Sequence, residues 1–463
     1  MNLRETRRDF LCSSTLGGAG LVILGARGLA GEAPGEKKLA PSDKLNLALV
    51  GVGGRGGANL GGCSSENFVA LCDVNAHVFE DTERKGADGK AVTVQGARSR
   101  FPKAKVYADW RKMLDDAKDF DAVICSTTDH THALVSNNAL KLGKHVYCEK
   151  PIAHSVHEAA TVRETYLKAN GKLATQQGTQ IHAEPNYRRV VELVQGGAIG
   201  AVKECHVWCS RRGPNPQPPV IEQAIKPPES LNWDLWLGPA PDRPYHPSYH
   251  SGGCMGWEQW WDFGNGCMGD MGSHLIDLAF WALNLKHPAT VVAEGDPPCG
   301  DPKTKDSYPH WLKVRWEHPA VGERPPVVLT WCDGEQRPPS PEGHDLTKWG
   351  IGLLFTGEKG QILCDYGRRI LLPEAQFKDF TPPKETIAPS AGHYKEWLLG
   401  CKTGSPTLCN FDYAGLLIQN NLLGTVAYRV GKKLKWDAEA LKADDCPEAD
   451  KFIKRPYREG WSL

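Results

Sequence analysis

Residues 44–60 read KLNLALVGVGGRGGANL, an apolar run from Leu45 to Val50 that passes without a break into glycine-rich chain. A short continuous apolar run bounded by glycines is the pattern of a strand buried on both faces. Gly51, Gly53 and Gly56 then occupy the positions of a GxGxxG turn. The first glycine permits the tight turn, the second lets backbone N–H groups approach a pyrophosphate, and the third lets helix and strand pack closely. A second strand-like run, FVALCDVN (68–75), follows and carries Asp73 about twenty residues after the glycines, where a carboxylate accepts from a ribose 2′-hydroxyl. The stretch therefore reads as the opening strand–turn–helix of a dinucleotide-binding fold, with Gly51, Gly53, Arg55, Gly56 and Asp73 against the cofactor. Asp73 favours NAD, since it would repel the 2′-phosphate of NADP, but it does not exclude NADP.

The alternation continues through KVYADW (105–110), FDAVICSTTDHTHALVSNNALKLGKHVYCEKP (120–151) and KLATQQG (172–178). This predicts a doubly wound parallel sheet of about six strands ending near Gln177. STTDHTH and CEKP then fall at the C-terminal ends of the fourth and fifth strands, the edge where such sheets bind ligands. Ser126, Thr127 and Asp129 are placed near the cofactor's ribose and nicotinamide end, with Glu149 and Lys150 beside them. His132 reads as equally consistent with a structural role. Gln180 and His182, just beyond the last strand, are candidates for reaching a substrate.

Beyond Gly178 the pattern changes to one amphipathic helix, PNYRRVVELVQGGAIG (185–200), and longer strands: VKECHVWCS, HWLKVRWEH, PVVLTWCDG and GIGLLFTGEKGQILC. Few helices separate the last three, which predicts neighbouring antiparallel strands in an α+β arrangement. The Pro-, Trp- and Gly-rich stretch at 211–265 is too long for a passive connection and reads as a lid or binding surface. Its Trp233, Trp236, Trp257, Trp260 and Trp261 are read first as packing, with some available to floor a sugar pocket. GDMGSHLIDLAFWAL (269–283) sets Asp270, His274 and Asp277 on one face of an apolar helix. His274 is the natural proton acceptor because its ordinary pKa lies near neutrality. Asp270, one turn away, can orient the imidazole or bind substrate, and Asp277 reads as a supporting or structural group.

These residues carry a resemblance. GVGGRGG after the first strand, TDHTHA after the fourth, CEKP after the fifth and GDMGSHLID downstream resemble the Gfo/Idh/MocA oxidoreductase family, as do LNWDLWLGPAP, FTGEKGQILC and AYRVGKKLKWD. The resemblance implies α/β plus α+β architecture: an N-terminal Rossmann NAD(P)-binding domain and a C-terminal α/β domain on an open, mainly antiparallel sheet. It implies sugar or cyclitol substrates, assembly as a dimer or tetramer, and catalytic or substrate-binding roles for Lys150, Asp270 and His274.

Composition agrees with a small-molecule enzyme. The 463 residues exceed one domain, and 55 basic residues balance 55 acidic ones without a single-sign block, so no nucleic-acid surface is expected. At the N-terminus, Arg7 and Arg8 precede a Gly- and Ala-rich apolar run with cleavage positions near Ala30 or Ala33. That pattern is a twin-arginine export signal rather than a membrane span. Fifteen cysteines, an odd number at irregular spacing, then need no disulfide framework, because such proteins fold in a reducing compartment before export. Cys205 and Cys209 lack a second ligand pair and Asp270 with His274 lack further ligands, so no metal is expected. The expected organisation is a signal at 1–33, a Rossmann domain at 43–177 and a substrate and oligomerisation domain at 178–463. The last carries the 211–265 insertion and a helix at 411–431 packing back between domains.

Export bears on chemistry. A periplasmic or otherwise exported NAD enzyme meets no cofactor pool, so it must retain its dinucleotide and regenerate it on the same molecule. Paired half-reactions on two sugars satisfy this. So does transient oxidation of a glycoside, elimination, water addition and re-reduction, which is hydrolysis without net redox. A sugar-binding protein with a vestigial nucleotide site is a third, weaker reading, disfavoured by the presence of Lys150, Asp270 and His274.

Overall fold

The six strands predicted from the alternation form one parallel sheet: β1 (Asn46–Val50), β2 (Asn67–Cys72), β3 (Lys105–Tyr107), β4 (Ala122–Cys125), β5 (His145–Cys148) and β6 (Thr175–Gln177). Their spatial order is β3-β2-β1-β4-β5-β6, so the topology reverses between β1 and β4. A ligand crevice is expected outside the strand ends at that reversal. The computed structural model describes residue 40, residues 43–85 and residues 91–463. The export signal expected at 1–33, with Arg7, Arg8 and Cys12, lies outside the described residues. Among the described residues no helix is long and apolar enough to cross a membrane.

Strand β1 is buried on both faces, as its unbroken apolar run requires. Leu45, Leu47 and Leu49 join one core, while Ala48 and Val50 point into the other. The first core is closed by the helix His393–Thr403, which brings Trp397 and Leu398 back from late in the chain. Tyr147 of β5 packs edge-on against Trp397 and stacks on Tyr394. No periodicity near the N-terminus announces that cover.

A second, nine-stranded sheet contains β7 (Val202–Cys209), β8 (Thr290–Asp296), β9 (Trp311–His318), β10 (Val327–Asp333), β11 (Ile351–Gly357), β12 (Gly360–Cys364), β13 (Arg369–Leu372), β14 (Leu434–Asp437) and β15 (Lys442–Asp444). Its order is β13-β12-β11-β7-β10-β9-β8-β14-β15, open and antiparallel except where β7 runs parallel to β10. The expectation that 310–318, 326–334 and 350–364 are successive neighbours holds only for β9 and β10. β7 inserts between β10 and β11, and the last run folds on itself as the β11–β12 hairpin around Glu358 and Lys359. β7 is almost fully buried along its second half, so it needs a partner on each side.

Two helices join the sheets. Gly266–Ala282 carries the GDMGSHLID segment. Phe411–Val430 is buried along nearly its whole length and packs on the helix Val156–Lys168, where Arg163 pairs with Asp412 at 2.7 Å. A side chain at Gly415 would stand 2.7 Å from Arg163 Cβ, so the close approach needs glycine there. In the insertion, Trp233 and Trp236 stack at 4.8 Å, Trp260 Nε1 donates to Ser248 O and Trp261 Nε1 donates to Thr304 O. Those ring faces and donors are engaged in packing. The insertion also ties to the first sheet: Asn232 N donates to Val74 O and Ala76 N to Ser230 O, directly beyond Asp73.

Replacing Trp397 with alanine removes the largest side chain of the C-terminal cover. We expect a loss of about 3–5 kcal/mol in urea unfolding, from lost burial plus the cavity left behind.

Candidate active site

At the N-terminal end of the crevice, Gly51 has φ +82°, and a Cβ there would lie 2.6 Å from Ser126 O. A Cβ on Gly56 would lie 1.8 Å from Gly51 O, so strand, turn and helix meet only if both residues are glycine. Above Gly54 nothing lies within 4 Å. The turn is therefore packed tightly beneath and open above Gly54, and the positive N-terminal end of the helix Arg55–Gly62 there suits a diphosphate. Asp73 Oδ2 accepts from Val52 N at 2.8 Å and Gly53 N at 3.1 Å, and Oδ1 accepts from Asn75 N at 2.9 Å. The carboxylate thus braces the loop at the position where it would meet a ribose. The glycine turn and the helix end fit a dinucleotide.

The other expected cofactor residues separate into supports and site groups. Ser126 Oγ accepts from Asn59 Nδ2 at 2.7 Å, fastening the helix behind the loop. Thr127 Oγ1 accepts from Thr131 Oγ1 at 2.6 Å. Arg55 Nε donates to Glu149 Oε1 at 3.0 Å, and Tyr147 OH donates to the same oxygen at 3.3 Å. Glu149 therefore anchors the glycine loop to the end of β5. Gln180 donates to Tyr147 OH at 3.1 Å and supports that same cluster. His132 is structural: Nδ1 lies 2.7 Å from Pro151 O and Nε2 lies 3.0 Å from Thr127 O, joining the β4 and β5 loops.

One expectation is corrected. His182 does not face an open crevice. It is buried, stacks on Trp281 at 3.9 Å and places Nδ1 3.0 Å from both oxygens of Asp277, whose Oδ1 also accepts from Tyr413 OH. His182 and Asp277 form an internal brace between helices. Asp129, expected near the ribose and nicotinamide end, lies on the Lys150 side of the crevice. It is buried near Gly269, where a Cβ would come within 3.5 Å of its Oδ2, and it interacts electrostatically with Lys150, Glu258 and Asp270. Burial raises its pKa well above the ordinary value, with Lys150 opposing.

The chemical centre is Asp270. One carboxylate oxygen receives Lys150 Nζ and the other receives Arg211 Nη1, both as short ion-paired hydrogen bonds. Arg211 Nη2 stands 2.9 Å from Glu258 Oε1, so two acids and two bases alternate. Burial opposes ionisation of Asp270, but Lys150 and Arg211 override it and hold the carboxyl well below its usual range. Burial alone would lower the Lys150 ammonium; Asp270, Asp129 and Glu258 reverse this and keep it charged. His274, one turn from Asp270, is pushed down to about 4 by burial first and the Lys150 ammonium second, against the pull of Asp270. Its imidazole is neutral at neutral pH, and Nδ1 is buried without a hydrogen-bond partner among the described residues. A neutral imidazole beside fixed positive charge can take a hydroxyl proton while the charge steadies the oxygen.

Arg211 and Glu258 were not legible as site residues. Arg211 is simply the residue after Ser210 beyond β7, and Glu258 is one of two acids in an aromatic run; only the fold brings them to Asp270. Among the described residues two groups place three metal-ligating atoms together, Cys125 with His132 and Cys148, and His182 with Asp277 and Cys409. The His132 ring already meets two carbonyls, and Asp277 is shared by His182 and Tyr413, so both groups have structural occupations.

Glu258 is raised to about 8, by burial first and Asp270 second, against Arg211 and Lys150. The folded chain then keeps a proton that an unfolded carboxyl loses near 4.5, and stability falls as pH rises through this window. Asp333, raised by burial to about 7, acts in the same direction. Glu258→Gln should make the decline between these pH values shallower by about 1.4 kcal/mol per pH unit, read from urea unfolding across pH.

The comparisons agree with this two-part fold. Residues 45–177 match the Gfo/Idh/MocA oxidoreductase family's NAD-binding Rossmann fold, and residues 220–327 match that family's C-terminal alpha/beta domain. An inositol 2-dehydrogenase of Klebsiella pneumoniae is 30% identical over 161 residues, 34% of this chain and 43% of the relative. One of Rubrobacter xylanophilus is 31% identical over 169 residues, 35% of this chain and 42% of the relative. The matched stretch thus spans less than half of these relatives. Among solved structures, the WlbA dehydrogenase from Bordetella pertussis in complex with NADH and UDP-GlcNAcA overlays with TM-score 0.57 at 13% identity, covering 85% of this chain and 99% of that one. The aldose-aldose oxidoreductase from Caulobacter crescentus overlays with TM-score 0.52 at 15% identity, covering 85% and 100%. These overlays are likenesses of fold. On its two matched domains, the chain belongs to the Gfo/Idh/MocA oxidoreductase family.

Proposed function

We propose that the protein oxidises a secondary hydroxyl of a sugar, cyclitol or glycoside, using NAD held by the Gly51–Gly56 turn and Asp73. The carrying observation is the ionised Lys150–Asp270–Arg211 cluster beside a neutral His274, at the sheet edge where the glycine turn opens. The similar proteins, an inositol 2-dehydrogenase and an aldose-aldose oxidoreductase, support the substrate class.

When bound, NAD supplies the hydride acceptor. The chain supplies the rest. His274 accepts the hydroxyl proton; Lys150 stabilises the oxygen as negative charge develops; Asp270 fixes Lys150 and hydrogen-bonds the substrate. Arg211 holds the second oxygen of Asp270. Glu149 and Arg55 keep the glycine turn in register with Lys150. The twin-arginine pattern supports export and a retained cofactor that is recycled on the enzyme.

A second reading, glycoside cleavage by transient oxidation and elimination, is favoured by one feature. Burial holds a proton on Glu258 near neutral pH, which gives the same cluster an acid, and elimination needs a proton donor for its leaving group. Offering the purified protein free sugars and aryl glycosides separates the two. Aglycone release without added cofactor supports cleavage, and bleaching of NADH fluorescence by a keto-sugar supports net redox. Absence of any dinucleotide binding would overturn both. His274→Ala should lower kcat by about 10²–10⁴-fold with NADH affinity unchanged, measured by steady-state kinetics and fluorescence titration. Retained turnover would remove the base assignment.

A further inference from the structure

Behind the helix Gly266–Ala282, the end of the helix Phe411–Val430, the start of the helix Val156–Lys168, the insertion and the tail near Lys451 enclose a cavity of about 310 Å³. Its wall includes the Arg429 guanidinium, which lies 4.1 Å from the Phe452 ring centroid and 4.9 Å from that of Trp261. Among the described residues Arg429 makes no ion pair and no side-chain hydrogen bond. Burial lowers its pKa to about 10, with only the more distant pull of Asp262 and Asp306 opposing. The guanidinium is partly exposed, with two aromatic faces against it and no carboxylate within ion-pair distance among the described residues.

A second cation without an ion pair among the described residues, Lys451, lies in the wall, while Arg455 there is paired with Glu158, which also caps the start of the helix Val156–Lys168 behind Ser155. The one carboxylate in the wall, Asp262, is taken by Arg243. Asn265 and Thr425 add neutral polar groups. The volume is at the small end of ligand pockets.

We propose that this cavity is a binding site for a small organic oxyanion, a carboxylate or phosphate compound of about monosaccharide size, held by Arg429 with Lys451 at the mouth. Planar N–H groups presented between two rings match an oxyanion geometrically as well as in charge. The site is separate from the crevice of Asp73, Lys150 and His274, and it stands whether or not the proposed oxidation is correct.

The test is calorimetric titration of the full chain with inorganic phosphate and with gluconate, under saturating NAD so that the glycine turn is not the binding site. Saturable binding of one equivalent by either probe is expected. Arg429→Met should weaken it at least about tenfold, in line with loss of a charge-assisted contact. Lys451→Gln, an exposed position that the fold does not need, should weaken it a few-fold and keep the test valid if the arginine variant does not fold. Phosphate binding without gluconate binding assigns the phosphate class, and the reverse assigns the carboxylate class. No saturable binding of either probe, or binding unchanged in both variants, overturns the proposal.

Discussion

One carboxylate, Asp270, fixes the geometry of the site. It receives Lys150 from the end of β5 in the first sheet and Arg211 from just beyond β7 in the second, while riding on a helix that lies against both. Three segments far apart in sequence are thereby held at a single point. Removing Asp270 would leave the Lys150 ammonium without an ion pair among the described residues, which costs more than the intact pair contributes. The arrangement is thus better understood as specifying position than as adding stability.

The rest of the site follows from that clamp. Burial and the charged Lys150 keep the nearby imidazole of His274 neutral against the pull of Asp270, and the more distant Glu258 is left as the acid that retains its proton. Two carboxyls in one cluster are driven in opposite directions by whether two cations or one lie against them. The same logic operates at the glycine turn. Glu149 holds Arg55 there, so the loop that would carry phosphates and the strand end that carries Lys150 cannot move independently.

Much of this was legible in the sequence because it is local. The glycine spacing, Asp73 after β2, and Asp270 and His274 at i and i+4 each depend on a few adjacent residues, and periodicity reads them directly. What was not legible depends on long-range closure. Arg211 and Glu258 sit in segments without a repeating pattern and acquire a role only when β7 and the insertion are placed beside the helix. His182 illustrates the converse: its sequence position beyond β6 aims it at the crevice, yet Trp281 and Asp277 turn it inward. The insertion of β7 between β10 and β11 was hidden for the same reason, since strand order is set by burial across the whole sheet.

The central claim is that the glycine turn and the Asp270 cluster are two walls of one site. Hydrogen–deuterium exchange of the full chain with and without NADH tests it directly. The account predicts protection appearing together at residues 51–57 and at the helix start around residues 266–274. Protection at the turn alone, or at neither segment, would contradict it.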